Sequence, residues 1–499
     1  MSSVKKSSIL SYVSVVFYVI AGFLYTPYLV QTLGVSDYGI YALAASLIGY
    51  FSLDFGIGAA QTRLAAKFLA EGKPEKIKDI LGITSKIFIG IDVLILLIVS
   101  FVYLYADNIF SNLTPSELVR FKNVFIITSL FVLINFPMLP LKGLFQAYDK
   151  IFELTLIELV YKITNILVIV GALFCGLGLY GVVVANVGSN IIAQFFRLYY
   201  IFKKERLSVN IKAKDKEIVK FITSFSVWAT VAMVADKFFF GIIPFLLAAF
   251  SNTTEVAFFA IVISIEGYVL SISRSLSGIF LPRVMKMVVG GQSEEERTNL
   301  MIKVGRVQLF IVGIIITGLV SLGHEFINHW LGEGFDKSYY CLILVMLPCV
   351  FHLTQTIAEE LLLATNQVKY RALVYVIGSS LSVLSIVLLA PNYGALAAAV
   401  GVFLSFTIAH NVLIDIFYHK KVGVNMLQFF KNCHVKILPV FILCGGLGFA
   451  LQNYASTPSF SLFLIKGIIW FAISSAILWF LALNREEKKM VRDTIKIFK

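Results

Sequence analysis

The chain has 499 residues, 59% of them hydrophobic and only 14% charged, with a formal net charge of +13. Soluble domains carry about 25% charged residues, so the composition excludes an ordinary water-soluble protein. Nucleic-acid binding is excluded as well, because the positive charge lies along one side of a series of apolar stretches, where anionic lipid is its expected partner.

A helix needs about 20 mostly apolar residues to cross a bilayer core. Fourteen such stretches lie near residues 9–33, 38–63, 80–105, 122–147, 152–175, 178–202, 219–250, 254–284, 299–322, 338–364, 368–390, 394–418, 433–451 and 462–483. The first follows Met1–Lys6 and lacks a small-residue cleavage site at its end, so it reads as an uncleaved span and not as a signal peptide. An even number of crossings returns both termini to one side. The opposite links hold only Arg120, Lys122 and Lys337, and Lys86, Lys162, Lys237, Arg274 and Lys466 are assigned to the interior of spans, which leaves 34 of the 42 Lys and Arg in the segments, links and span ends on the side of the termini. Positive loops stay in the cytoplasm. The expectation is a multi-pass protein of the cytoplasmic (inner) membrane, with cytoplasmic N- and C-termini and membrane lipids as its surroundings.

No soluble domain of useful size remains between the spans. The five cysteines show no paired spacing and the six histidines are scattered, so no metal site and no catalytic constellation is legible. Glycine runs such as Gly445-Gly446-Leu447-Gly448 lack the Lys-Ser/Thr of a phosphate loop and read as close helix packing. The protein therefore has no ATPase of its own and needs no cofactor beyond, at most, a proton or sodium gradient.

A shift of 218 residues lays span 2 on span 8: Asp37 meets Glu255, Tyr41-Ala42 meets Phe259-Ala260, and Gly49-Tyr50 meets Gly267-Tyr268. Six spans separate the copies, so they share one orientation, and substrate sites in parallel repeats lie between the halves. The expected fold is an all-α polytopic membrane protein of about 14 transmembrane helices, with two parallel six-helix lobes plus two C-terminal helices. The boundaries are an N-terminal lobe at 1–202, a basic linker at 203–218, a C-terminal lobe at 219–418, and two extra spans with a basic tail at 419–499.

The run Leu33-Gly34-Val35-Ser36-Asp37-Tyr38-Gly39-Ile40-Tyr41-Ala42-Leu43 resembles the first outer turn of bacterial polysaccharide repeat-unit flippases. Leu53-Asp54-Phe55-Gly56-Ile57-Gly58 with Arg63, and Ala235-Asp236-Lys237, fit the same family. It belongs to the multidrug/oligosaccharidyl-lipid/polysaccharide exporter superfamily. The resemblance implies a non-enzymatic flippase that moves an undecaprenyl-diphosphate-linked oligosaccharide of an O-antigen, capsule or exopolysaccharide pathway. It also implies a polysaccharide polymerase and a chain-length regulator as partners. The lipid II flippases of the superfamily carry cations in spans 1, 2 and 8. This chain keeps Arg274 in span 8, has none within span 1, and has Arg63 at the inner end of span 2.

Ionisable residues at membrane depth mark pathways or partners. Lys237 lies 15 residues before Asn252 and Glu266 lies 14 after it. At 1.5 Å per residue both stand about 22 Å from that turn, so they neutralise each other or face a shared polar cavity. As an anion site, Lys237, Arg274 and Arg63 would meet a diphosphate, with Tyr268 offering a ring to sugar. Asp54, Asp236 and Glu266 are the candidate coupling or cavity carboxylates. Glu158 and Lys162, spaced i, i+4, read as an intrahelical pair, and Lys466 as a side chain that snorkels to the interface.

Two other readings compete. A cation-coupled multidrug antiporter of the same superfamily would use a carboxylate-centred site, which the same acids could supply. A polysaccharide polymerase or lipid-linked glycosyltransferase would need a large outer loop, and the outer links here are short.

Overall fold

The structure is a computed structural model that describes residues 3–497, apart from 52, 206, 278–283, 285, 286, 289, 366, 455 and 456. No strand occurs among the described residues. Contacts divide the chain into two compact units, Met1–Ala260 with Ser382–Ala398, and Ile261–Leu381 with Ala399–Lys499.

The first unit runs through α1 (Ser3–Leu33), α2 (Val35–Phe51), α3 (Ile57–Ala70), α4 (Ile77–Leu104), α5 (Pro115–Ala147), α6 (Ile151–Phe174), α7 (Gly178–Tyr199) and α8 (Lys216–Phe250). It also takes in the start of α9 (Thr253–Ser277). Large apolar side chains on α4 stand exposed, with Leu97 63% and Leu104 71% accessible. Water would oppose such a face, whereas a bilayer requires it. Where α3, α4, α5 and α6 converge, Ala65, Ile77, Leu81, Leu144, Phe145 and Leu154 form a buried cluster.

The second unit takes in the rest of α9 and holds α10 (Glu294–Leu331), α11 (Asp336–Leu353), α12 (Thr356–Ala364), most of α13 (Val368–Tyr393) and of α14 (Ala395–Val422), α15 (Met426–Tyr454), α16 (Phe460–Leu481) and α17 (Arg485–Ile497). Two buried ion pairs tie its C-terminal helices down. Lys466 is 6% exposed and pairs with Glu325 of α10, which also accepts from the Thr457 amide at 3.1 Å. It is anchored by a carboxylate and does not snorkel. Arg306 of α10 makes a two-pronged contact with Glu487 of α17, at 2.5 and 2.9 Å, and donates to the carbonyls of Asn432 and Ala482. One guanidinium thus joins three segments that sequence spacing alone does not connect.

Twelve helices among the described residues are long and apolar enough to cross a membrane. The protein is a multi-pass membrane protein. Two of the fourteen expected spans are not among the twelve. The second is broken into α2 and α3. The seventh lies on the continuous helix α8, which contributes the shorter apolar stretch Phe239–Phe250 among the described residues.

Candidate functional site

The break between α2 and α3 falls on the Leu53–Gly58 motif. Asp54 Oδ1 accepts the Gly56 amide at 3.1 Å, and the Asp54 carbonyl accepts the Ile57 amide at 2.9 Å. Phe55 and Gly56 take positive φ, 50° and 69°, which costs any residue with a Cβ and is free for glycine. A Cβ on Gly58 would collide with Asp54 Oδ2. From α8, Thr230 donates to the Phe55 carbonyl at 2.7 Å. The motif therefore builds a discontinuous helix whose freed backbone groups are satisfied locally, as a membrane demands. Asp54 holds that break, and Arg63 stands exposed on α3 beyond it.

At the end of the first unit that sequence reading places outside, the Ser36–Gly39 part of the other motif closes a clasp. Glu117 on α5 accepts from Ser36 Oγ at 2.6 Å and from Thr253 Oγ1. Arg120 Nε pairs with Asp37 at 2.9 Å. Gly39 is small because a Cβ there would strike the Thr253 carbonyl. Asp37's repeat partner Glu255 does similar work, accepting the Ala395 amide at 2.6 Å.

The other expected site residues divide between the units. Lys237 is exposed on α8 in the first unit, and the Asp236 side chain lies outside the described residues. In the second, Glu266 and Tyr268 are buried, at 6% and 8% exposure, while Arg274 is exposed. Arg274 lies close enough to Glu359 and Glu360 to act on both. Arg371 shares those carboxylates, and His352 Nε2 stands 3.9 Å from Glu359 Oε1. His352 also packs edge-on against His410, with ring centres 5.5 Å apart. His410 sits in a π-helical turn, Ser405–Leu413, which opens α14 where Gly378 leaves room for it. Arg274 thus belongs to a mixed ionic group of two arginines, two carboxylates and two histidines.

Glu158 does not form the expected intrahelical pair. Lys142 of α5 reaches it at 2.8 Å and Arg197 of α7 at 3.5 Å. Lys162 instead lies over the Tyr18 ring of α1, 5.0 Å from its centre. Packing of α6 against α1, α5 and α7 brings these cross-helix partners within reach of the acid. Sequence reading counted Arg197 and Lys142 as flanking charge, and missed the polar stripe Asn186, Asn190, Gln194, Arg197 at helical spacing on α7.

A cavity of about 910 Å³ opens in the second unit between α10, α11, α14 and α15. Leu309, Ile316, Leu347, Phe351, Phe403 and Phe441 line it, with Thr317, Thr407, Asn411 and Asp415 as its polar groups. Mostly apolar walls with a few polar groups are the pattern of a site for a large, largely apolar ligand. Among the described residues no group of three or more His, Cys, Asp or Glu is placed to hold a metal ion.

Residues 4–287 match the family model described as polysaccharide biosynthesis protein. No curated protein matches the chain in sequence. Among solved structures, the lipid II flippase MurJ in an inward closed conformation is 15% identical, with a TM-score of 0.71, over 94% of this chain and 99% of its own. An inward-facing multidrug resistance MATE family transporter of the MOP superfamily is 13% identical, with a TM-score of 0.64, over 83% and 98%. The eukaryotic MATE transporter AtDTX14 is 17% identical, with a TM-score of 0.58, over 86% and 98%.

Proposed function

This chain belongs to the polysaccharide biosynthesis protein family, and we propose that it is a flippase for an undecaprenyl-diphosphate-linked oligosaccharide repeat unit. It carries the unit from the inner to the outer face of the cytoplasmic membrane by alternating access, with both termini in the cytoplasm. The observation that supports this reading most directly is the 910 Å³ apolar cavity of the second unit. A polar sugar alone gains nothing from such walls, whereas a lipid-linked one leaves a long hydrocarbon to be held. Asp415 and Asn411 at the same cavity would meet its polar end.

The chain acts as a transporter and breaks no bond in its substrate. With no nucleotide motif, the cycle draws on a proton or sodium gradient, carried through the membrane carboxylates Asp54, Asp236 and Glu266. A polymerase and a chain-length regulator take the unit up outside.

The test is cell-based. Deleting the protein should halt surface polysaccharide while lipid-linked repeat units accumulate on the cytoplasmic face, and re-expression should restore export. Loss of the lipid-linked units themselves would assign the chain to synthesis and overturn the proposal. Lost resistance to amphiphilic cations with normal polysaccharide would favour the antiporter reading, which the same apolar cavity also suits.

A further inference from the structure

In the first unit a buried arginine, a half-buried lysine and an exposed lysine meet at one carboxylate. Lys142, Lys162 and Arg197 gather about a single acid, Glu158, from α5, α6 and α7. Glu158 meets Lys142 and Arg197 directly, and Lys162 lies close enough to feel both Glu158 and Lys142. Arg197 is only 5% exposed, and its Nε makes no hydrogen bond among the described residues. Its other nitrogens reach Glu158 and Gln194, and Gln194 donates to Asn135. A buried guanidinium donor left open is costly, so a site that fills it is favoured.

Beside this group lies a pocket of about 180 Å³ with a polar side of Tyr41, Thr128, Asn135, Asn186 and Asn190 and an apolar side that includes Phe131 and Val183. Two hydrogen bonds shape it: Asn186 donates to Tyr41 at 3.2 Å and Asn190 to Tyr161 at 3.0 Å. Tyr161 precedes Lys162, and Asn135 connects the pocket through Gln194 to Arg197. Amides and hydroxyls of this kind suit the donors and acceptors of a sugar.

We propose that Lys142, Lys162 and Arg197 form a diphosphate-binding subsite within the first unit, and that the adjoining amide-lined pocket takes the first sugar. This rests on the flippase reading for the identity of the ligand, a polyprenyl diphosphate sugar. Glu158 keeps the three cations together and moderates their grip, so that the headgroup can leave.

The test is binding to the purified full chain in detergent, with farnesyl diphosphate, inorganic pyrophosphate and farnesyl-diphospho-N-acetylglucosamine as probes. Arg197→Gln and Lys162→Gln should each weaken farnesyl diphosphate binding at least about tenfold, the value of one charged hydrogen bond. Glu158→Gln should strengthen it, the opposite sign to a folding defect. Asn186→Leu should weaken only the sugar-bearing probe. Should Arg197→Gln fail to fold, Lys162→Gln and Glu158→Gln carry the test alone. Unchanged affinity for the diphosphate in both of these would overturn the subsite, as would binding of pyrophosphate without farnesyl diphosphate. Export of repeat units that persists in those variants would leave the flippase reading standing without this subsite. Charge-dependent diphosphate binding in a protein that exports no polysaccharide would do the reverse.

Discussion

Ser36 donates a 2.6 Å hydrogen bond to the Glu117 carboxylate across 81 positions of sequence. Glu117 is also the capping-box acid of α5, receiving the Thr114 amide. One carboxylate therefore starts its own helix, holds the start of α2 and receives Thr253 at the start of α9. Glu117→Ala removes all of these at once, and the loss should approach 1.5–3 kcal/mol, about the value of a charged hydrogen bond. Thermal unfolding in detergent checks this. Glu117→Gln, which keeps one acceptor oxygen, should lose less.

The helix break predicts a coupling between two small changes. Gly58→Ala should destabilise by about 1–3 kcal/mol, the range for forcing atoms into a packed site, because its Cβ would strike Asp54 Oδ2. Asp54→Ala alone should also cost stability through the lost Gly56 bond. The double variant removes the colliding oxygen, so its loss should fall short of the sum of the two. Strict additivity in thermal unfolding would separate Gly58 from Asp54.

Arg306 and Glu487 are each 8% exposed. Breaking a buried pair from one side strands a charge and costs about 3–5 kcal/mol, whereas replacing both partners with apolar residues is often nearly neutral. Arg306→Met and Glu487→Met should each lower stability sharply, and the double variant should recover much of it. Limited proteolysis gives a second readout, since α17 should be released in the single variants.

The charge asymmetry predicts the orientation of the chain. Reporter fusions at Asn112 and Asn328 should be active outside, and fusions at Lys212 and Lys489 in the cytoplasm. A cytoplasmic signal at Asn112 would invert or re-count the spans.

The helical membrane class was legible because apolar length and loop charge are one-dimensional signals. The break at Asp54 was not, since its residues sit inside an apolar run and only the left-handed φ of Phe55 and Gly56 exposes it. Charge partners were the least legible part. Spacing along one helix favoured Glu158 with Lys162, but partners on α5 and α7 reach the acid directly. Lys466 looked like a lone cation near a helix end and proved to be paired with Glu325, 141 residues away. Arg274 stood out as a cation in an apolar helix, yet its carboxylate neighbours Glu359 and Glu360 come from α12, whose distance in sequence hid them.

The central claim is translocation of a lipid-linked oligosaccharide, and liposomes containing the purified chain test it most directly. The lipid-linked repeat unit is placed in both leaflets, and its sugar is challenged from outside with an impermeant lectin or oxidant. With the protein present and an imposed proton or sodium gradient, sugar from the inner leaflet should become reactive beyond the share already outside. An identical reactive share with and without the protein, under every gradient, would contradict the account.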